Sequence, residues 1–430
     1  MLTSESHSRG HGLAADVAGG VTTFLTMAYV LVVNPSILSA SGAGIPFSGA
    51  LTATVLIASS MTLLMGLYAR LPFAVAPGMG LNAYFAVTIV LQNHVPWQTA
   101  LGIVFWSGVL FLIVSTTPLR ERIALAIPPA LRAAAAAGIG LLLTLIGLRN
   151  TGLIVSDPAT IVRAGTLDHR TALMLLSVLV AVALMRRNNP LAFLAAIFSA
   201  TALAWVLGYE KPPAQLVSAP DFSSAFLRLD VRDALRLSLL PAIVGIFFTD
   251  LFDSLSTFIG VARVSGLTDE HGRPINLRRG LIVDAIATLT SGLAGTSPGT
   301  AYVESIAGIR MGGRTGRASI VTAACFLPCF FIGPVAAAIP GYATAGVLLL
   351  VGVAMFQSVA TIDFSSLEDA VPAFVTVVLI PLTLSITQGI LWGLLLHALL
   401  YAIAGRAREL GTTVWLLAIL SATLLLVGSR

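Results

Sequence analysis

Apolar sequence too long and too frequent for a water-soluble core sets the frame for this chain. Fourteen stretches almost free of charge follow one another, at about residues 20–33, 48–67, 83–91, 100–116, 133–148, 171–185 and 191–207, then 237–261, 280–293, 301–309, 318–338, 344–359, 371–386 and 389–404. A polar stretch, residues 208–236, separates the two groups of seven. Most of the stretches approach the roughly 20 residues a helix needs to cross the hydrocarbon of a bilayer. Only 10% of the 430 residues are charged and 57% are hydrophobic, with a mean hydropathy of +0.94. A soluble domain carries about 25% charge. The composition excludes a soluble enzyme, a nucleic-acid binder and a disordered scaffold, and makes the lipid bilayer the solvent for most of the chain. The net charge of +5 sits in short clusters between apolar stretches, as expected of loops retained in the cytoplasm.

Segments three and ten are too short to cross as full helices, and each starts at a Pro-Gly step, Pro77-Gly78 and Pro298-Gly299. Phe24-Leu25-Thr26 of segment one is answered by Phe247-Phe248-Thr249 of segment eight, and Ala126-Ile127-Pro128 by Ala338-Ile339-Pro340. Seven spans per repeat put the second copy into the membrane upside down. The charges agree: Arg70, Arg120, Arg122, Arg132, Arg186, Arg187, Arg263, Arg273, Arg278, Arg279, Arg310, Arg314 and Arg317 fall on one face when the amino terminus is cytoplasmic. An inverted repeat with paired broken segments is the architecture of a secondary transporter, with its site near the midplane. Residues 1–16 read as a polar cytoplasmic tail without a signal-peptide core. Residues 412–427 form a leftover apolar stretch that can be a span, a hairpin or an interfacial helix.

Four carboxylates fall in or beside apolar segments, all in the second half: Asp250, Asp253, Asp284 and Glu304. A charge at the bilayer centre costs at least about 2.5–3.5 kcal/mol, so such groups face a cavity or one another. Glu304 follows the breaker-rich run Gly295-Thr296-Ser297-Pro298-Gly299-Thr300, and irregular backbone at that depth belongs beside a cavity. It reads as an acceptor for ligand N–H groups, or else as a structural helix cap. Asp250 and Asp253 are one helical turn apart, a pairing suited to proton uptake and release. Asp284 is either a hydrogen-bonded link to a neighbouring helix or a coupling group. Asn82, in the corresponding broken segment, either faces Glu304 across a cavity or is satisfied by broken backbone. Tyr84, Phe85, Phe247, Phe248, Phe252 and Tyr302 offer rings for a flat ligand or simply pack. His7, His11, His94, His169, His271 and His397 form no metal cluster with the acids, and no nucleophile spacing or phosphate loop is present. Neither an enzyme nor a cofactor is expected. Cys325 and Cys329, one turn apart, read as packing residues.

The runs Ala76-Pro77-Gly78-Met79-Gly80-Leu81-Asn82-Ala83-Tyr84-Phe85, Leu251-Phe252-Asp253-Ser254 and Glu304-Ser305-Ile306-Ala307-Gly308-Ile309, with Gly312-Gly313-Arg314-Thr315-Gly316, closely resemble the AzgA-like purine permeases. These belong to the nucleobase–ascorbate transporter superfamily that includes uracil permease. The resemblance implies an all-α fold of fourteen transmembrane segments as two inverted repeats of seven. It further implies a core domain (residues 17–132 and 237–338) and a gate domain (133–210 and 339–405) that often dimerises, with a loop at 211–236 and a carboxy-terminal segment at 406–430. In its terms Asp253 and Glu304 are substrate-binding acids, Gly80 and Asn82 the important third-segment pair, and Asp284 an acid linked to activity. Thr26, Phe252 and Tyr302 complete the expected substrate contacts, and Asp250, Asp253, Asp284 and Glu304 the proton-coupling set. The chain departs from the family at Ser254-Leu255-Ser256-Thr257, where relatives commonly carry a Thr-Thr-Gly-Thr-like run. The expected function is proton-coupled uptake of purine nucleobases by an elevator-type movement in the inner membrane of a bacterium, with purine and proton as partners and no basic residue at the site. The rivals are an anion transporter on the same scaffold, a uracil or xanthine permease, and a non-transporting receptor or channel.

Overall fold

In a computed structural model of the chain, residues 12–39, 43–117, 128–157, 160–269 and 274–428 are described. Arg120, Arg122, Arg273, His7, His11, His271, Ala126 and Ile127 lie outside them. In lipid every backbone N–H and C=O needs an internal partner, and the helix is the form in which an apolar segment supplies all of its own. Segment one is helical over Leu13–Met27 and Val30–Ser39, with a short turn between. Segment two runs Phe47–Leu64 and widens into a π-helical turn at Met65–Ala69. The remaining spans of the first half are Trp97–Thr116, Pro129–Asn150, His169–Met185 and Ala192–Val206. Those of the second are Leu240–Ser265, Leu277–Ala294, Gly316–Phe326, Gly341–Phe356, Leu367–Thr383 and Ile386–Ile403. Segments three and ten are broken: strand β1 (Val75–Pro77) precedes helical turns at Met79–Ala83 and Tyr84–Gln92, while a later strand precedes Ser305–Arg310. A hairpin of β2 (Ile154–Asp157) and β3 (Ile161–Ala164) joins segments five and six, and β4 (Gly299–Ala301) is the strand of segment ten. Seven of the described helices are long and apolar enough to cross a bilayer unaided, so the other segments depend on their neighbours.

The helices pack in two sets. Segments one, two, four, eight, nine and eleven lie mainly against one another, as do five, six, seven, twelve, thirteen and fourteen. Glycine permits the closest approaches. A Cβ on Gly308 would stand 2.2 Å from the Gly19 carbonyl oxygen, which accounts for this glycine of segment ten. The stretch after segment fourteen is one helix, Thr412–Gly428, packed on segments eight and fourteen, and so is not a hairpin.

The amino-terminal boundary differs from the sequence expectation. Helix begins at Leu13, inside the stretch read as tail, and Asp16 is only 1% exposed. Its carboxylate accepts the Thr315 hydroxyl at 2.7 Å. Buried acids are therefore not confined to the second half. Asp16 sits beside a polar stretch in sequence, and its partner is 299 residues away, where no local pattern reveals it.

Candidate functional site

Proline and glycine decide the centre of the molecule. Pro77 and Pro298 lack an N–H and cannot continue a helix, so both broken segments reach the middle of the fold extended. Extended backbone there must find partners, and the two copies supply them to each other. β1 and β4 pair antiparallel with Val75 opposite Ala301, Ala76 opposite Thr300 and Pro77 opposite Gly299. Gly78 N–H donates to the Pro298 carbonyl at 2.9 Å, Tyr302 N–H to Ala74 at 2.9 Å, and the Tyr302 hydroxyl to the Pro77 carbonyl. Antiparallel pairing sends the two half-helices away in opposite directions.

Two cavities meet beside this ladder. The smaller, about 90 Å³, is lined among others by Tyr29, Gly80, Asp253, Thr257, Tyr302 and Glu304. The larger, about 670 Å³, is lined by Thr22, Thr26, Asn188, Phe193, Glu304 and Arg310 among others. Val303 and Glu304 belong to both walls. Gly80 is required at its position, since a Cβ there would lie 2.5 Å from the Ile139 side chain of segment five. A third, small space of about 20 Å³ lies between Thr249, Phe252, Asp253 and Ser256 of segment eight and Arg132 of segment five. Among the described residues the buried Nε of Arg132 has no hydrogen-bond partner. The site therefore has a cation at its margin, contrary to expectation. Arg132 reads in sequence as a loop charge, and the fold brings it to the small space that Asp253 also lines.

The acids separate by role. Glu304 Oε1 accepts the Tyr29 hydroxyl at 2.7 Å. Asp253 lines the small cavity and has no hydrogen-bond partner among the described residues. Asp250 is fully buried and accepts the Thr288 hydroxyl, while Asp284, equally buried, accepts the Ser254 hydroxyl. Asp250 and Ser254 are four residues apart on segment eight, as are Asp284 and Thr288 on segment nine. The four form two acid–hydroxyl pairs that clasp these helices together. The one-turn pair Asp250 and Asp253 is thereby divided, one toward a helix and one toward a cavity. Ser254 takes part in the clasp, Ser256 lines the small space and Thr257 the 90 Å³ cavity, so each polar residue of the departing motif has a place.

Asn82 is fully buried and lines none of these cavities; its amide donates to Asn34 Oδ1 at 3.1 Å. Asn34 uses its whole carboxamide: it donates to the Thr54 and Thr296 hydroxyls, both at 2.9 Å, and accepts from Asn82 and, at 3.1 Å, from the Ser297 hydroxyl. Thr26 faces the large cavity, its hydroxyl bonded to the Thr22 and Thr23 carbonyls. Phe252 stacks on Phe248 at 5.6 Å, and Phe248 meets Phe247 at 5.1 Å, so these rings pack mainly on one another. Sequence reasoning missed Tyr29, Asn34, Arg132 and Phe193. Tyr29 and Asn34 left a signal, as a phenol and a carboxamide in an otherwise apolar segment; the other two left none.

Segment three also stitches the two helix sets together at its far end. The Tyr84 hydroxyl bonds the Thr387 hydroxyl, the Thr88 hydroxyl donates to the Leu384 carbonyl, and Gln92 Nε2 donates to the Thr383 carbonyl at 2.9 Å. Both carbonyls lie at the end of a helix, where no intrahelical donor remains.

Comparison with known proteins fits this geometry. The chain is 39% identical over 423 residues to the adenine permease AdeP of Escherichia coli strain K12, covering 98% of this chain and 95% of the relative. It is 36% identical over 414 residues to the guanine/hypoxanthine permease PbuO of Bacillus subtilis strain 168, covering 94% and 95%. The fold is similar to that of the transmembrane domain of the cyanobacterial bicarbonate transporter BicA, with a TM-score of 0.65 and 19% identity over 90% of this chain and 98% of that one. The fold is thus the helical membrane architecture of two inverted seven-segment repeats. The profile of the permease family Xan_ur_permease matches residues 15–392, a range that contains the ladder, both cavities and the seam, and the chain belongs to that permease family.

Proposed function

We propose that this protein is a secondary transporter that takes up purine nucleobases together with protons. The observation that carries the reading is Glu304: a carboxylate on the wall shared by the small cavity and the large one, with Asp253 in the small cavity beside it. A purine is flat, uncharged and edged with N–H donors, and a carboxylate accepts them through up to about four lone-pair directions, of which Tyr29 uses one. Thr257 and Tyr302 add neutral polar contacts. Two ionised acids in one cavity are costly in a low-dielectric setting, so a proton that loads with the base removes part of that cost. The permeases of adenine and of guanine and hypoxanthine to which the chain is similar support the same substrate class.

The two helix sets are the bodies that move, the set bearing the ladder and the acids sliding against the other to expose the site alternately. In this reading the bonds at Tyr84, Thr88 and Gln92 hold one face shut, while the large cavity, with Asn188 and Arg310 in its wall, is reached from the other. The positive-inside pattern makes that open face cytoplasmic in a cell membrane. Uptake of radiolabelled adenine with a competition panel of nucleobases tests the proposal. Purines compete, a protonophore abolishes accumulation, and Glu304→Gln, losing a charge-assisted acceptor, weakens uptake about tenfold or more. Unchanged pH dependence in Glu304→Gln refutes the coupling, and competition by bicarbonate or sulfate in place of purines refutes the substrate class.

A further inference from the structure

We propose that Tyr29 positions Glu304 and ties the affinity of the site to the contact between the two helix sets; the inference rests on the reading of Glu304 as a ligand-binding group. Tyr29 lies in the turn that interrupts segment one and is 1% exposed. Its two ends meet different bodies. The hydroxyl donates to Glu304 Oε1 at 2.7 Å, within the set that holds the ladder. The ring meets Phe193 of segment seven, in the other set, edge-on at 5.1 Å between centroids and 70° between planes.

Each partner also marks a boundary. Tyr29 lines the small cavity, Phe193 the large one, and Glu304 both. The aromatic pair thus stands where the two spaces adjoin. Glu304 immediately precedes the six-residue helix Ser305–Arg310, and a flexible carboxylate there needs an external donor to fix its rotamer. Tyr29 supplies that donor on one oxygen and leaves the second for a ligand. The phenol is in turn held by packing, because an edge-on aromatic pair has a preferred geometry. When the sets shift and Phe193 withdraws, the ring is released and the carboxylate loses its orientation. Affinity for the ligand is then highest while the sets are in contact at Phe193 and falls as they part. In this scheme Phe193 influences binding through the Tyr29 hydroxyl.

A double-mutant cycle on the full-length protein in lipid nanodiscs tests this, with radiolabelled adenine as the probe and KM and Vmax measured in proteoliposomes. Tyr29→Phe keeps the ring and removes the donor; binding weakens about tenfold or more, and the loss shows in KM rather than in Vmax. Phe193→Ala weakens binding about threefold in the native background and adds nothing in the Tyr29→Phe background, while Phe193→Tyr restores native affinity. If Phe193→Ala does not elute as a single species, Phe193→Leu, which also removes the ring edge, takes its place in the cycle. Native affinity in Tyr29→Phe, or additive effects of the two substitutions, overturns the inference. Glu304→Gln in the same assay separates the two claims. If it too binds adenine normally, the reading of Glu304 fails; if it loses binding while Tyr29→Phe does not, only the role of Tyr29 fails.

Discussion

Replacing Asn34 by alanine should unfasten the centre of the protein, and the structure sets the size of the effect. Asn34 makes four hydrogen bonds, to Thr54, Thr296, Asn82 and Ser297, joining segments one, two and three to the loop that leads into β4. Asn34→Ala strands two buried donors, the Asn82 amide and the Ser297 hydroxyl, at about 1–3 kcal/mol each. Counting instead four bonds at the membrane-helix average of about 0.6 kcal/mol gives about 2.4 kcal/mol. The expected loss is therefore about 2–6 kcal/mol. Asn82→Ala breaks one of these bonds and leaves Asn34 Oδ1 paired with Ser297, so it should cost about 0.6–1.5 kcal/mol. Thermal unfolding in detergent, followed by the monodisperse fraction on size exclusion, ranks the two variants, and adenine binding is measured on each. The expected order is a large fall in Tm for Asn34→Ala and a small one for Asn82→Ala, with binding falling in proportion to stability. If Asn82→Ala abolishes binding at an unchanged Tm, Asn82 contacts the ligand and the placement argued here is wrong.

Two further outcomes follow from the seam and from the loop between the halves. Thr88→Val combined with Gln92→Leu removes two donors between the helix sets, about 0.6 kcal/mol each, and shifts the conformational balance about eightfold away from the state described. A cysteine introduced as Thr22→Cys in the large cavity, with Cys325 and Cys329 replaced, should then react more slowly with an impermeant maleimide from the open face, and an unchanged rate counts against the seam as a latch. Asp221 is held below the ordinary carboxylate range chiefly by the hydroxyls of Ser224 and Ser48. A depressed acid stabilises the fold above its unfolded value of about 3.9 and loses that contribution as pH falls through its lowered folded value. The hydrogen-exchange protection factors of residues 218–228, taken relative to the intrinsic rate at each pH, should therefore be constant between about pH 5 and 8 and fall only below about 4, whereas Asp221→Asn should remove this dependence; a change in protection near neutral pH contradicts the assignment.

Much of the architecture is readable from residues alone because lipid imposes a simple rule. Apolar segments must be helical there, and prolines and glycines mark the two places where they cannot be. Pro77-Gly78 and Pro298-Gly299 locate the ladder, and two acids of the second half, Asp253 and Glu304, line the cavity beside it. Which acid does what is not readable. Asp250 and Asp253 share a helical turn, and only the approach of Thr288 from segment nine assigns one to a clasp and leaves the other to the cavity. Asn82 stands in the motif that marks the site, yet Asn34, distant in sequence, takes its amide.

Local pattern and solvent thus determine the membrane class, the two antiparallel copies and the interruption of segments three and ten, because each depends on a few consecutive residues and the medium around them. Tertiary structure alone decided that Tyr29 holds Glu304, that Arg132 borders Asp253, that Asp16 is buried against Thr315 and that Phe193 meets the site from the opposing helix set. Those contacts join side chains from segments far apart in sequence, and the register of helix against helix that creates them is set by packing over the whole molecule.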